Sequence, residues 1–544
     1  MNAVIIDVDI VIIGGGPTGL LCAVLARQLG LTVSVIDEKP ATLDFGRADG
    51  LNARTQQYLE IAGTLKELRS KGIECDTSST FADGGFKSRQ SNWWTSLQHC
   101  HHKCFLMVGQ PEVEKVLMSQ LPSYRITKGF PMVRRNEVAM EIEEDDDGVT
   151  VISYAETETG NLTFDKITTR AKFAIGADGA HSLVRKSLKI GFEGTEPGMN
   201  WTVIDTLLST DFPVCKEIIS FQLHGESRVL WVPRERNLAR FYVRLLEGQE
   251  ITQANAEATI REHMAPYQVD FVHTEWFSNF EVRERLASSF VSKQGKGRIA
   301  LAGDAAHVHS INGAQGLNTG IADAFGLVWR LALACKSTKN AETLMTSYAL
   351  ERRTIAQGAI GLAAQLVRDT RHGAERYVAT IAKNAGYITG MGVSYTGIES
   401  PLVVESRIGI WRAGERCPDI SFGSPNPSFE ICNSATRKRL YSTVGYGRFI
   451  LFLVGDQQIQ IPPYGLGTGY ALDIIMLLRT GAFPTHTIDF DGIDFSAFFW
   501  RVKFWLTEVV GPDDSFAVVV RPDMYIGCVG ECATCIKYLD SFSQ

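Results

Sequence analysis

The sequence predicts an α/β protein in three parts, on the strength of three observations. An N-terminal strand passes through a glycine-rich turn into a helix and a second strand, a middle segment alternates polar and apolar residues, and the last part mixes strand and helix signals again. A chain of 544 residues is too long for one hydrophobic core, which agrees with several domains.

The N-terminal element comes first. Asp9 to Ile13 reads as a strand buried on both faces, followed by Gly14-Gly15-Gly16-Pro17-Thr18-Gly19, a helix-competent run from Leu20 to Leu29, and a second strand over Thr32 to Ile36 that ends at Asp37-Glu38. This is G-x-G-x-x-G at the first turn of a β-α-β unit, with an acid about twenty residues on, the fingerprint of a Rossmann-like dinucleotide-binding domain. Gly14 permits the tight turn, Gly16 lets the backbone approach a pyrophosphate, and Gly19 brings helix and strand together. Asp37 ends the strand and is the candidate acceptor for a ribose hydroxyl, with Glu38 as the alternative.

The elements that follow extend this unit. Phe45 to Gly63 reads as a turn leading into a helix, and Arg47, Asp49 and Arg54 on it are either solvated charges or site residues. Glu137 to Tyr154, continuing to Ala174, alternates like antiparallel strands. The acidic turn Glu143 to Gly148 between them is a solvated tip and lacks the ligand spacing of a calcium loop. Lys172 to Arg185 is a strand ending at Asp178-Gly179, and Met199 to about Arg283 alternates as an antiparallel sheet with one polar face. Arg298 to Asn318 is a short strand that stops at Gly303-Asp304 and becomes a helix from about Leu317. At such a place, backbone N–H groups and the helix dipole favour phosphate or ribose. Helical periodicity continues through Ile321 to Ala334 and Ala341 to Val367, while Ser394 to Pro427 reads as a linker. Arg448 to Val454, Gly469 to Arg479, Ala497 to Leu506 and Ala517 to Val520 then mark a small third α/β domain.

Composition excludes several function classes. The hydrophobic fraction of 45% and charged fraction of 21% are those of an ordinary folded chain. A net charge of −7 without a Lys/Arg-rich run speaks against nucleic acid. No basic signal-peptide start and no spanning apolar run is present, so no membrane insertion is expected. Eleven scattered cysteines point to a reducing, cytoplasmic compartment. His99-Cys100-His101-His102-Lys103-Cys104 has no second half at metal-site spacing and reads as a loop, so no metal is expected. Cys528, Cys532 and Cys535 are read as lying past the last strand, away from the strand-to-helix junction that activates a redox pair.

The Gly14-x-Gly16-x-x-Gly19 turn, the Asp178-Gly179 strand end and the Gly303-Asp304 turn, in this order, resemble the class A flavoprotein aromatic hydroxylases over roughly the first four hundred residues. Gly46-Arg47-Ala48-Asp49-Gly50-Leu51, Pro233-Arg234-Glu235 and Arg240-Phe241-Tyr242 resemble the phenol hydroxylase branch. The C-terminal part, with Val520-Arg521-Pro522-Asp523, is similar to its thioredoxin-like domain. The resemblance implies a discontinuous FAD-binding domain (1–75, 105–198 and 284–395), a β-rich substrate domain (76–104 and 199–283) and a thioredoxin-like domain (410–544).

It also implies a function: FAD, NAD(P)H as co-substrate, O₂, a small phenolic or polycyclic aromatic substrate hydroxylated through a flavin C4a-hydroperoxide, and a homodimer. Gly14, Gly16, Gly19 and Asp37 would hold the pyrophosphate and adenosine ribose, Arg47 and Gln110 would lie along the cofactor, Asp304 would accept from the ribityl chain, and Gly316 and Asn318 would belong to the loop and helix beside the flavin. Asp178-Gly179 would support FAD and nicotinamide alike. Asp49 would be the base that takes the phenol proton, Tyr242 would orient the hydroxyl and Arg234 would stabilise negative charge, with an apolar pocket raising the Asp49 pKa. Other readings of the scaffold are an oxidase, an epoxidase, a halogenase (for which Trp93-Trp94 does not supply the Trp-x-Trp-x-Ile-Pro segment) or a silent flavin-binding protein. The chain departs from the family at Ile311 and Thr354, where prolines are usual.

Overall fold

The computed structural model describes residues 4–422, 438–455, 470–478, 500–503 and 515–542, apart from 93–96, 98–99, 123–124, 128–129, 158–161, 197, 199, 214–215, 247, 311–314 and 370–373. The first sheet follows from the apolar run at the N-terminus. Ile10 to Ile13 have no solvent-facing side, so the strand Val4–Ile13 sits inside the sheet with parallel neighbours on both edges, Val33–Ile36 and the long strand Leu162–Gly176. Outside these lie Val133–Arg134 on one edge and the antiparallel pair Val149–Glu156 and Glu137–Glu144 on the other, the latter joined through the acidic turn. Ile299–Leu301 adds in parallel to the end of Leu162–Gly176, which brings the Gly303 turn beside the Gly14 turn. The helix Pro17–Gln28 covers the sheet, and the helix Gln315–Lys336 packs along it with an almost wholly buried face.

The second sheet has seven strands in the order 269–281, 200–210, 239–243, 226–233, 218–223, 77–82 and 85–92. Its pairs are antiparallel except Ile218–Leu223 with Thr77–Ala82, which run parallel from Ile218 opposite Ser78. Side chains alternate across the sheet. In Ala239–Val243 this sends Phe241 and Val243 to one face, packed with Ile260 and Met264 of the helix Gln253–Met264. Arg240 and Tyr242 point to the other face, toward the first sheet's loops.

The third sheet orders 500–503, 471–478, 448–454, 516–520 and 526–530, with the first three strands parallel and the last two antiparallel. Two expectations are corrected here. Ser394 to Pro427 is no free linker: its described part buries Tyr395 and Trp411, and the backbone of Val404 and Gly414 bonds to the strand Ile526–Gly530. Glycine and proline signal irregular backbone, and this irregular backbone is packed. Cys532 and Cys535 do lie at a strand-to-helix junction, since the helix Cys532–Asp540 starts two residues after Gly530; the Cys535 and Cys528 sulfurs are 3.9 Å apart.

A fully buried ion cluster seams the third sheet to the helices of the first. Arg521 spans Glu351 at 2.7 and 2.8 Å and Asp523 at 2.7 Å, and Arg330 reaches Glu351 at 2.6 Å and Asp523 at 3.2 Å. The charges alternate, so each buried ion has a partner, and removing one strands the others. Arg521→Ala is expected to cost about 3–5 kcal/mol of stability, read as a lowered denaturation midpoint; an unchanged midpoint would mean that the cluster is solvated.

Candidate functional site

The first half of the site is a steric cradle. Gly14 has φ +104°, and a Cβ there would fall 2.2 Å from the Ala177 carbonyl oxygen; one on Gly19 would fall 2.0 Å from the Gly14 carbonyl oxygen. Only glycine lets the turn, the neighbouring strand end and the helix come this close. A Cβ on Gly16 meets no atom within 4 Å, so this backbone faces open space at the start of the helix Pro17–Gln28. No side chain caps that helix, which leaves its N-terminal N–H groups for an anion. Thr18 is wedged between the Gly303 turn and Gly320, where added Cβ atoms would approach its hydroxyl to 2.8 and 2.5 Å.

Acids ring this cradle. Asp37 is buried, folds back under Gly15 and is ion-paired with Arg135, while Glu38 is exposed, so Asp37 stands nearer the turn. Asp178 accepts from the Val184 N–H at 3.1 Å, and its other carboxylate oxygen is buried without a partner. Burial raises its pKa, against bonds from Ser182 and Val184. Asp304 is accessible within the cleft, yet the protein that surrounds it pushes its pKa up, against the pull of His307 and Arg47. Open space at Gly16, an orphaned carboxylate oxygen on Asp178 and an accessible Asp304 are features that a dinucleotide with ribose hydroxyls satisfies.

Asp323 holds the Gly303 turn. Its carboxylate accepts from the Gly303 N–H at 3.0 Å, from Arg352 Nε at 2.7 Å, and lies 2.8 Å from His307 Nε2. Burial alone would raise the pKa of Asp323, but Arg352 and His307 hold it below the usual carboxylate value. Neither Asp323 nor Arg352 stood out as a site residue in the sequence. An acid on the apolar face of a helix, with an arginine downstream on the next, was the available signal.

The second half of the site is a polar cluster on the inner face of the seven-stranded sheet. Tyr242 Oη donates to Asp49 Oδ2 at 2.9 Å, and Arg240 Nη1 lies 3.3 Å from the same oxygen. Arg240 is fully buried, makes two 2.6 Å bonds to the Asp205 carboxylate and donates to the Arg47 carbonyl. Burial, reinforced by the Asp49 charge, pushes the Tyr242 phenol well up, so it stays protonated and donates.

Asp49 is not the cap of the following helix. Asn52 fills that role, accepting from the Thr55 N–H at 2.9 Å. Asn318 receives the Asn52 N–H and donates to the Gly50 carbonyl, each at 2.9 Å, and Gln110 receives the Ala48 N–H at 3.4 Å. Gly316 lies in the first turn of the helix Gln315–Lys336, near the His309 ring.

Two sequence expectations change. Arg234 is not beside Asp49: it pairs with Glu235 at 2.6 Å and Asp205 at 3.3 Å and lines a separate cavity of about 290 Å³ with Phe45, Arg236 and Glu275. Arg240 is the arginine in contact with Asp49, and the two-residue period linking it to Tyr242 on one strand face was the available signal for it. Nor is the end of the pocket at Asp49 apolar, since a guanidinium and a hydroxyl contact that carboxylate. Ile311 lies outside the described residues, while Thr354 bonds only within its own helix turn, to Leu350. Glu60, His101 and His102 bring ligand atoms within 4.8 Å of one another, but Glu60 is committed to Arg439 and His102, so the group works as an ion pair.

A glycine turn, an acid below it and two further acid-bearing strand ends form a cradle of the kind that holds a dinucleotide. The chain belongs to the FAD binding domain family, which matches residues 7–363. It is similar to the phenol 2-monooxygenase fsqG of Aspergillus fumigatus, 30% identical over 407 residues that cover 71% of this chain and 66% of the relative. The FAD-dependent monooxygenase ankC of Aspergillus thermomutatus is 26% identical over 96% of this chain and 95% of its own. Against fsqG and the flavin-dependent oxygenase ucdD of Aspergillus ustus, the alignment spans about two thirds of the relative, 66% and 65%. Among solved structures, the flavin-dependent monooxygenase PieE with FAD and substrate shares the fold at TM-score 0.74 and 19% identity, covering 99% of this chain and 98% of that one. Aklavinone-11 hydroxylase with FAD and aklavinone does so at TM-score 0.71 and 20% identity, covering all of both chains.

Two measurements test the site. Gly16→Ala adds a methyl group where no protein atom stands, so the variant is expected to fold as the parent does, by circular dichroism, but to lose FAD on gel filtration. Burial, helped by His307, lowers the His309 pKa to about 4 from its usual 6.5. Between those values the unfolded chain binds the proton that the folded one refuses, so stability falls as pH drops through the window. His309→Asn is expected to flatten that part of a denaturation-midpoint profile against pH.

Proposed function

We propose that the protein is an FAD-dependent monooxygenase that hydroxylates a phenolic aromatic compound, using NAD(P)H and O₂. The observation that carries this reading is the Asp49–Tyr242 hydrogen bond of 2.9 Å, locked by Arg240, which also holds the Arg47 carbonyl. The names of the relatives, monooxygenases of phenols and hydroxybenzoate among them, support it.

FAD, when bound, supplies the reducing equivalents taken from NAD(P)H and the activated oxygen. Gly14, Gly16 and Gly19 would cradle its pyrophosphate, Asp37 and Asp304 would receive sugar hydroxyls, and Asp178, Arg47 and Gln110 would line its length. Asp49 accepts the phenol proton, since a phenolate ring is the stronger nucleophile. Tyr242, kept protonated, orients the substrate oxygen by its hydroxyl. Arg240 fixes both and offsets the negative charge that builds up on the ring oxygen.

The reading extends to a homodimer, a thioredoxin-like third domain and a cytoplasmic location. The family resemblance supports these, and no helix among the described residues is long and apolar enough to cross a membrane.

Asp49→Asn is expected to keep its FAD and lose about 10²–10⁴-fold in phenol hydroxylation, measured as substrate-stimulated NAD(P)H oxidation with oxygen incorporation by mass. A variant that hydroxylates at the parent rate would remove Asp49 from the role of base.

A further inference from the structure

The wall that carries Tyr242 holds one more polar group that the chemistry above does not use. Trp201, in the strand Asn200–Thr210, is 4% exposed, and its indole Nε1 has no hydrogen-bond partner among the described residues. Strand alternation puts Trp201, Val203 and Asp205 on one face, and the register sets Val203 opposite Tyr242 and Asp205 opposite Arg240. Trp201 is therefore the next step along the row that begins at the Arg240 anchor and passes Tyr242. It packs in the same apolar cluster as Tyr242, with Phe105, Met107, Leu97 and Ile388.

A buried indole N–H usually finds an acceptor, because leaving it unpaired costs the desolvation of the group. The hydroxyl that Tyr242 brings to this cluster is engaged with Asp49, and no acceptor among the described residues meets the Trp201 nitrogen. We infer that the acceptor is supplied by the substrate, and that Trp201 is a specificity-determining residue that donates to a second oxygen on the aromatic compound, away from the hydroxyl held at Asp49 and Tyr242.

The donor also selects the kind of oxygen. A single neutral N–H satisfies a carbonyl but does not neutralise a carboxylate. The arginines of this face are already committed, Arg240 to Asp205 and Asp49, and Arg234 to Glu235 and Asp205. The substrate class is therefore a phenol that carries a ketone, aldehyde or ester carbonyl, rather than a phenolic acid. This inference rests on the phenol hydroxylase reading and narrows it.

The test compares dihydroxyacetophenone with ethylresorcinol, a pair that differs in the carbonyl oxygen, and adds dihydroxybenzoate. Binding to the FAD-loaded enzyme is followed by the change in flavin absorbance, with Trp201→Phe as the variant that keeps the ring and deletes the donor. The parent is expected to bind dihydroxyacetophenone about tenfold more tightly than ethylresorcinol, and W201F to bring that ratio to about one.

A ratio near one in the parent, a ratio retained in W201F, tightest binding of the benzoate, or no binding of any of the three would each overturn the inference. The parent's own ratio decides the matter if W201F does not fold. Turnover is scored separately, as oxygen incorporation. Binding with the expected ratio but no turnover sinks the hydroxylase reading and leaves the donor role of Trp201 standing, while turnover with a ratio near one does the reverse.

Discussion

The placement of the polar cluster depends on one buried guanidinium. Arg240 has no access to water, and its charge is tolerable only because the Asp205 carboxylate meets it with two short bonds on the neighbouring strand. That pair fixes the plane of the guanidinium, and its remaining donor is aimed between the Arg47 carbonyl, Asp49 and the Tyr242 hydroxyl. The sheet thus presents a positive charge at a chosen point while keeping every charge around it partnered. Replacing the arginine with an apolar residue would leave Asp205 and Asp49 buried without a cation, a larger penalty than the loss of any single hydrogen bond.

The same reasoning separates the two arginines that sequence alone could not rank. Arg234 and Arg240 are both on the inner side of the sheet and both touch Asp205, but Arg234 turns its other donors to Glu235, which also receives the Gly109 N–H. It braces the loop before the helix Gln110–Ser119 and is spent there. Which arginine reaches Asp49 depends on strand register, meaning that Arg240 lies opposite Asp205 and Tyr242 opposite Val203, and register is set by long-range pairing.

What could be read from the chain follows the range of the interactions involved. The glycine cradle was legible because each glycine's reason is local, a turn or a close approach within one β-α-β unit. The alternating middle was legible as a sheet, because a period of two is visible in the chain itself. The parallel pairing of Ile218–Leu223 with Thr77–Ala82 was not, since it joins segments far apart. The strand Ile526–Gly530 holds two glycines in five residues and gave too weak a signal to be seen, which moved the Cys532 helix out of its true context. The Asp323 clamp was hidden because a buried acid on an apolar helix face has meaning only once the Gly303 turn and Arg352 are packed against it.

These ranges meet in the loop that carries Asp49. Arg47 has φ +64°, a conformation unusual for a residue with a side chain, and it turns its carbonyl to Arg240. Three residues on, Asn318 grips Gly50 and Asn52 from the helix that also supports the cradle. Two residues further, Arg54 bonds the Asp523 carbonyl and the Tyr441 hydroxyl, tying the next helix to the C-terminal part. The loop is therefore held from the β-rich sheet, from the cofactor-side helix and from the C-terminal sheet at once. A carboxylate so fixed would need no rearrangement to act as the proposed base, so part of the orientational cost of that reaction would be met when the chain folds. On this argument the C-terminal part contributes to the site without touching it, because Arg54 and Asn52 share one helix start and a shift at either would move Asp49.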